Sequence, residues 1–598
     1  MNEPPVEELN SFPDDCLPPE DSYESREALF AAINAWAAPR GYAFTTGRSA
    51  RSTNQRCTVT YTCDKHRPPP SKERIRQRKT TTRCTNCPFS INAKESLDKK
   101  TWTVQHRQDS KYALHNHKPS LSASSHPAHR KLSSALVDVV YKLEYSGMRP
   151  KDIMTYLHTY HNVDVTLTDI YNHVADSRRL RRRGQSTIQA LINSLNEAGY
   201  ESCIEHDEDN RVTGIIFAHL QSFEYLKAYP DTLIMDCAYK TNKYRMPLLN
   251  IIGVDACGRS FFVAFAFLNG ETEENYIWAL DWLKSMYMIH NIRPPSVILT
   301  DRCLACMNAV SKCFPFSVSL LCLWHANKAV VTHCRPAFIP HKSKKNQSNQ
   351  DLEGWKKFED HWHSIIQSPS EDEFNQRVQK FEDAYLPQYH QEVGYIKDQW
   401  LGKYKEKIVN NWVNQHRHFG NVVTSRIENI HSLLKQYIPS AELDLFQVWV
   451  FLNKAVVNQL RELQANQFQQ QTRLAVDLGN SLYSVVNGWV SRQALRSVEN
   501  QRLRLNDKNL PDCTYTFTST MGLPCAHVLK SLREQDKVLQ LSHFHTHWHL
   551  MRSGSPLSLL EPRRLTDPIT ARSTISNSNT RREPSEFEAV EAATEPRA

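Results

Sequence analysis

The sequence predicts a multidomain chain of mixed α+β and α/β class, with a helical insertion in its core and a separate β-rich module near the N-terminus. Three observations predict this. Between residues 185 and 335, apolar runs of strand length alternate with longer amphipathic stretches, the pattern of strands joined by helices. Residues 57–63 and 102–106 alternate at period two within a segment dense in Cys and His. Finally, 598 residues exceed what one hydrophobic core holds, so three or four domains are expected.

Composition narrows the class. Apolar residues make up 40% of the chain and aromatic residues 10%, enough for globular cores. No window approaches the roughly 20 apolar residues of a membrane span. The acidic N-terminus lacks the basic and apolar regions of a signal peptide, so no membrane association is expected. A formal net charge of +9 tilts weakly toward a polyanionic partner. The 15 Cys, an odd number, and 26 His argue for reduced thiols, some of them binding metal, over a disulfide framework.

In chain order, residues 1–22 are rich in Pro, Asp and Glu and are expected to be disordered. Residues 23–119 form the Cys/His-rich unit, opening with a helix at 24–37 and continuing in half-buried strands; the run Pro68-Pro69-Pro70 and the basic stretch 72–79 form a loop between them. From 125 to 184 the period becomes helical. Leu136, Val139, Val140 and Leu143 share a face, Gly147 ends that helix, Pro150 begins the next, and Thr166 to Asp169 caps a third at about 168–178. Three short helices with such turns fit a helix-turn-helix. The basic run Arg178, Arg179, Arg181, Arg182 and Arg183 follows, read as a phosphate-contacting stripe, a nuclear-localisation signal, or both.

Residues 185–335 carry a helix at 187–198, strands at 214–219, 233–236, 248–255 and 260–269, a helix at 274–288, a strand at 296–300, a helix at 304–313, a strand at 317–323 and a helix at 325–332. Three antiparallel strands, a helix, then strand–helix–strand–helix is the element order of a ribonuclease-H-like core. Residues 336–424 read as a helical insertion, 425–475 as the final helices of the core, 476–550 as a second Cys/His segment and 551–598 as a disordered tail.

Two acids close strand-like runs in this core. Asp236 ends Thr232-Leu233-Ile234-Met235, and Asp301 ends Ser296-Val297-Ile298-Leu299-Thr300; Glu428 lies later on a helix. Carboxyl ends of strands are where α/β sites assemble. Three such carboxylates suit Mg²⁺ or Mn²⁺, and two metals about 4 Å apart support in-line attack on a phosphodiester. Further acids within 353–400 mean that spacing alone does not select Glu428. Elsewhere, Cys63, Cys87, His115 and His117 form a C…C…H-x-H set for tetrahedral Zn²⁺. The two His, two residues apart, are expected to share one strand face. Cys57 and Cys84 compete as ligands.

The residues around these acids resemble Mutator-like element transposases. Asp236-Cys237-Ala238-Tyr239-Lys240-Thr241-Asn242, Thr300-Asp301-Arg302, Cys322-Leu323-Trp324-His325 and Ser425-Arg426-Ile427-Glu428 resemble that family's four motifs, in order. The likeness covers roughly 180–450. It implies a DDE-type, RNase-H-like nuclease, with Asp236, Asp301 and Glu428 as metal ligands and His325 beside the scissile strand. Arg83 to Phe89, Trp102 and His115-Asn116-His117 resemble the zinc module of far-red-impaired-response proteins and WRKY-type factors, which presents a β-strand face to the major groove. Cys513, Cys525 and His527 resemble a SWIM-type zinc motif in which Tyr515 stands where the second Cys belongs. The resemblances imply double-stranded DNA carrying terminal inverted repeats as the partner, a homodimer or higher oligomer, and the nucleus. The alternative is a domesticated transposase-derived transcription regulator without cleavage activity. Such a descendant is under no chemical pressure to keep the three acids.

Overall fold

A computed structural model of the chain describes residues 11–51, 57–69, 82–98, 100–339, 349–422, 425–506 and 510–550, without the side chains of 349–351, 425, 427 and 428. The chain divides into two compact units, 1–193 and 194–598.

The first unit begins with β1 (Ser22–Tyr23), α1 (Arg26–Ala37), β2 (Phe44–Arg51), β3 (Cys57–Cys63), β4 (Ser90–Glu95) and β5 (Trp102–Gln105). Ser25 caps α1 by accepting from the Ala28 N–H, which fixes the helix start. Leu29, Ile33 and Ala37 then recur at helical spacing and bury against Phe44, Val59, Tyr61, Phe89, Ile91 and Val104 of the sheet. Strand order is β1-β5-β4-β3-β2, antiparallel throughout. Gly41, at φ +75°, turns α1 into β2, where a Cβ would lie 2.7 Å from the Ser120 carbonyl oxygen.

The disorder expected for 1–22 does not hold for residues 11–22. Cys16 is buried, the Tyr42 hydroxyl donates to its carbonyl, and Phe12 stacks on His115 with ring centroids 4.1 Å apart. Apolar anchors among the acids decide this: Phe12, Cys16, Leu17 and Tyr23 all join the core. Residues 1–10 and the expected tail 551–598 lie outside the described residues.

Three helices complete the unit: α2 (Ser134–Tyr145), α3 (Pro150–His161) and α4 (Leu167–Arg181). Ser133 caps α2, Pro150 occupies the first turn of α3, and Thr166 with Asp169 forms a reciprocal capping box on α4. Val140, Ile153, Leu157, Ile170 and Val174 form their shared core. The last helix runs on through Arg181, so part of the basic run is helical instead of trailing behind the helix.

Helix α5 (Thr187–Glu197) leads to β6 (Tyr200–His206), β7 (Val212–His219), α6 (Leu220–Ala228), β8 (Thr232–Ala238), β9 (Leu248–Val254) and β10 (Ser260–Phe267). There follow α7 (Glu273–Ile289), β11 (Val297–Thr300), α8 (Leu304–Cys313), β12 (Val318–Leu321) and α9 (Leu323–Phe338). The seven strands order as β12-β11-β8-β9-β10-β7-β6. β8, β11 and β12 run parallel, and each pair from β8 through β6 is antiparallel. β6 and α6 are not anticipated by the sequence pattern. In β6 the burial is partial at most positions after Tyr200, as on an edge strand, so no clean period marks it.

Helices α10 (Asn349–Ile366), α11 (Glu371–Tyr385), α12 (His390–Ile396), α13 (Gly402–Ile408) and α14 (Asn410–Val413) interrupt the core, with a π-helical turn at Lys397–Leu401. Trp355, Phe358, Trp362, Phe374, Phe381 and Trp400 pack there with Val330, Cys334 and Phe338 of α9. The chain then forms α15 (Ser425–Tyr437), α16 (Leu445–Thr472), α17 (Arg492–Leu503), α18 (Thr516–Met521) and α19 (Ala526–Glu534). Among the described residues, no helix is long and apolar enough to cross a membrane.

Candidate functional site

Asp236 sits within β8 and Asp301 directly follows β11, the adjacent parallel strand. Leu299 pairs with Ile234, so two residues further on Asp301 comes level with Asp236. Both side chains are therefore at the carboxyl ends of neighbouring strands. β8 runs two residues past Asp236, to Ala238, pairing with Leu248 and Leu249 of β9. Burial and then the Asp301 charge push the Asp236 carboxyl up to about 7. Burial also pushes Asp301 up, against the Cys303 N–H that donates to it at 3.2 Å, and the Glu271 charge adds to the rise.

Two further elements reach this point. From α9, Lys328 brings a positive charge that bears on Asp236. His325 lies in the first turn of the same helix, whose N-cap Cys322 accepts from the His325 N–H at 3.2 Å. From α15, the His431 Nε2 stands 3.5 Å from the Asp236 Oδ2. Burial, Lys435 and His325 together push His431 down to about 4, so the ring is neutral at neutral pH. Glu428 lies one turn before His431 on α15, and its side chain is outside the described residues. Arg302, next to Asp301, reaches the insertion: its guanidinium stacks 4.6 Å over the Trp400 ring and donates to the Gln399 carbonyl.

In the first unit, Cys63, Cys87, His115 and His117 have ligand atoms all within 4.8 Å of one another. Cys63 Sγ lies 3.3 Å from His117 Nε2, and Cys87 Sγ 3.4 Å from His115 Nδ1. Tetrahedral Zn²⁺ with ordinary bond lengths separates S and N ligands by about 3.6 Å, so the donor set fits that ion. Cys63 draws the Cys87 thiol down, helped by His115 and His117, while Cys87 and burial push Cys63 up. The two His do not come from a strand edge. They lie in a loop whose Asn116 accepts from the Thr85 hydroxyl at 2.9 Å and donates to the Thr85 carbonyl at 2.9 Å. Pinning Asn116 one way turns both neighbouring imidazoles the other. Phe12 and Phe89 sandwich the His115 ring. Cys57 is at the far end of β3, about 20 Å from Cys63 at ordinary strand rise. Cys84 lines a neighbouring cleft. Neither belongs to the cluster.

The C-terminal set also converges. Cys513, Cys525 and His527 lie within 4.8 Å of one another, with the two sulfurs 3.8 Å apart, the S–S spacing of about 3.8 Å in a tetrahedral zinc site. Burial pushes the Cys525 thiol up, but the Val528 N–H, Thr518, His527 and Cys513 outweigh it and bring it down to about 7. Tyr515 is 72% exposed, at φ 56°, and outside the cluster.

The basic run is divided by its own fold. Glu144 of α2, buried, pairs with Arg178 (3.3 Å) and Arg181 of α4, and Arg179 pairs with Asp176 (2.8 Å). Beside this bundle, a cleft of about 680 Å³ is lined by His66, Arg67, Arg83, Arg130, Lys131 and His173 among others. Arg83 and Arg130 are paired there with Asp64 and Asp169.

Residues 232–329 match the MULE transposase domain family, a span that begins at β8 and holds Asp236, Asp301 and His325. Over these residues the chain is MULE transposase-like. It is 24% identical over 581 residues to the PKS-NRPS hybrid synthetase cheA of Chaetomium globosum, covering 90% of this chain and 12% of that protein. To Protein FAR1-RELATED SEQUENCE 5 of Arabidopsis thaliana it is 24% identical over 463 residues, 74% of this chain and 54% of the relative. To Protein FAR-RED IMPAIRED RESPONSE 1 of the same plant it is 23% identical over 436 residues, 70% and 49%. The chain thus spans about half the length of these two plant relatives. Within the MULE transposase-like core, the motif reading missed Glu271, Lys328 and the contact of His431 with Asp236. Their signal was position: Glu271 follows β10 just before α7, at the same sheet end as the two Asp.

Proposed function

We propose that this MULE transposase-like protein is a DDE transposase that binds the ends of its element and cleaves and joins DNA by two-metal-ion chemistry. The observation that carries the reading is the pair Asp236 and Asp301 on adjacent parallel strand ends, with α15 packed against Asp236 through His431. The strand order β10-β9-β8-β11-β12 supports an RNase-H-like core, to which β7 and β6 add an edge. Burial raises the proton affinity of both carboxylates, and Asp301 raises that of Asp236 further; hard oxygen donors of this kind suit Mg²⁺ or Mn²⁺. Asp236, Asp301 and Glu428 would hold the ions, which supply an activated nucleophile and stabilisation of the leaving 3′ oxygen. The neutral His431 lies beside Asp236, His325 stands in the first turn of α9, and the Lys328 charge suits a phosphate oxygen. The zinc module (23–119) and the helical domain (125–184) would recognise duplex DNA, with the basic cleft and Arg179, Arg182 and Arg183 contacting phosphates. Terminal inverted repeats as the target, a homodimer or larger assembly, and the nucleus belong to the same reading.

The second reading, a transposase-derived DNA-binding regulator without cleavage, is favoured by one observation. Similarity to the two plant proteins named for far-red response extends over 70% and 74% of this chain. One experiment separates the two. The full chain is incubated with Mg²⁺ and duplexes carrying candidate element ends, beside Asp301→Asn. Cleavage by the wild type that the variant lacks supports the transposase. Sequence-specific binding with no cleavage by either protein supports the regulator.

A further inference from the structure

Glu271 leaves the sheet between β10 and α7, and two phenols hold its carboxylate. The Tyr239 hydroxyl donates to Oε1 at 2.9 Å and to Oε2 at 2.8 Å, and the Tyr276 hydroxyl donates to Oε1 at 3.0 Å. A phenol with an ordinary pKa of about 10 is a donor at neutral pH. Tyr276 is also 3.3 Å from the Cys237 Sγ. Cys237 and Tyr239 belong to the segment that bears Asp236, so the strand end itself grips Glu271. β10 runs in the direction of β8 and β11, so Glu271, Asp236 and Asp301 leave the sheet at one end.

A second observation points to a ligand beside Asp236. Asn250 pairs directly with Asp236 across the β8–β9 ladder, and residues so paired project from the same side of a sheet. Asn250 is 2% exposed. Its Nδ2 donates to the main-chain carbonyls of Asp236 (3.4 Å) and Leu248 (3.2 Å), while its Oδ1 has no hydrogen-bond partner among the described residues. A buried acceptor left open calls for a donor such as bound water.

We propose that Glu271 is a further metal-binding residue of the Asp236–Asp301 site, oriented by Tyr239 and Tyr276. The inference rests on the metal-site reading above. It adds a carboxylate from the β10–α7 loop that is independent of α15, and so of Glu428. Held by two donors, this carboxylate forfeits little freedom when it engages a cation, and Asn250 Oδ1 can accept from a water on that cation.

The test is Mn²⁺ binding to the full chain without DNA, followed by the electron paramagnetic resonance signal of free Mn²⁺. The proteins are wild type, Asp236→Asn, Glu271→Gln and Tyr239→Phe, each checked for folding by circular dichroism. Glu271→Gln should weaken Mn²⁺ binding about a hundredfold, and Tyr239→Phe about tenfold, the lower range for loss of an orienting partner. If Asp236→Asn loses Mn²⁺ while Glu271→Gln and Tyr239→Phe both bind within twofold of wild type, Glu271 is not a ligand and the parent reading stands. If wild type binds no Mn²⁺, or Asp236→Asn binds it unchanged, the metal-site reading falls and this one with it. Should Glu271→Gln fail to fold, Tyr239→Phe decides, since Tyr239 is 59% exposed and its ring supports no core.

Discussion

His431 stands with its Nε2 3.5 Å from the Asp236 Oδ2, joining helix α15 to strand β8 across almost two hundred residues of intervening chain. The contact is too long for a strong hydrogen bond, and burial keeps the ring neutral. A neutral imidazole beside a carboxyl held up near 7 adds no charge of its own, so Lys328 is the protein cation that bears on Asp236. That relationship ties the segment bearing Glu428 to the sheet end bearing the two Asp.

Asp236→Ala, Asp301→Ala and Glu428→Ala are each expected to reduce Mg²⁺- or Mn²⁺-dependent strand cleavage to background while duplex binding persists. Losing a ligand removes stabilisation of both attacking and leaving oxygens. Gel assays of cleavage and of binding on the same duplex check this. Full cleavage by Glu428→Ala, with loss in Glu271→Gln, would move the third acid from α15 to the β10–α7 loop.

Metal-free stability should depend on pH through Asp236. The carboxyl is raised from an ordinary value of 3.8 to about 7 in the folded state. Between about pH 4 and 7 the folded state therefore keeps a proton that the unfolded state gives up, and stability falls as pH rises. Asp236→Asn should be more stable than wild type above pH 7, and the difference should vanish near pH 4. A shift of this size bounds the gain at about 4 kcal/mol, at roughly 1.4 kcal/mol per unit. Urea unfolding at pH 4.5 and 8 in the presence of a chelator measures it. An equal difference at both values would refute the assignment.

Two Zn²⁺ ions per chain are expected on metal analysis. His115→Ala should lose one, unfold the first unit at a lower temperature and abolish preference for specific ends, because small zinc sites supply folding free energy through the metal. Cys525→Ser should lose the other and leave end preference intact. Stoichiometry unchanged in His115→Ala would remove the metal from the N-terminal cluster.

The arginines of α4 should separate into two classes. Glu144 is 7% exposed and takes both Arg178 and Arg181, so Glu144→Ala should cost about 2 kcal/mol, less than a fully buried pair because the guanidinium groups are partly solvated. Changing Arg179, Arg182 and Arg183 to Gln should cost less stability than Glu144→Ala, since the Arg179–Asp176 pair is more exposed than Glu144. It should weaken all duplexes alike, lowering the salt slope of log affinity by up to about 2.7. A triple variant that discriminates between sequences differently from wild type would contradict a phosphate role.

Local pattern carried a large share of this protein. Apart from α6, strand and helix positions from β7 to α9 follow from period, and the start of α4 from its Thr166–Asp169 cap, because apolar spacing and end-group satisfaction are properties of a few neighbouring residues. The two Cys/His sets that the fold brings within 4.8 Å were named from the sequence, the first by its C…C…H-x-H pattern and the second by its resemblance to a SWIM motif. Where the spacing left Cys57 and Cys84 open, the length of β3 and the pinning of Asn116 decided. Tertiary structure alone determined the rest. The anchoring of residues 11–22 depends on a core that four scattered apolar side chains join, and the neutralisation of Arg178 and Arg181 depends on a glutamate one helix away. The gathering of Glu271, Asn250 and His431 around Asp236 is set by strand order and register, which bring residues 14, 35 and 195 positions apart to one sheet end. No periodicity in the chain encodes those distances, since they arise only when separate elements bury their apolar faces together.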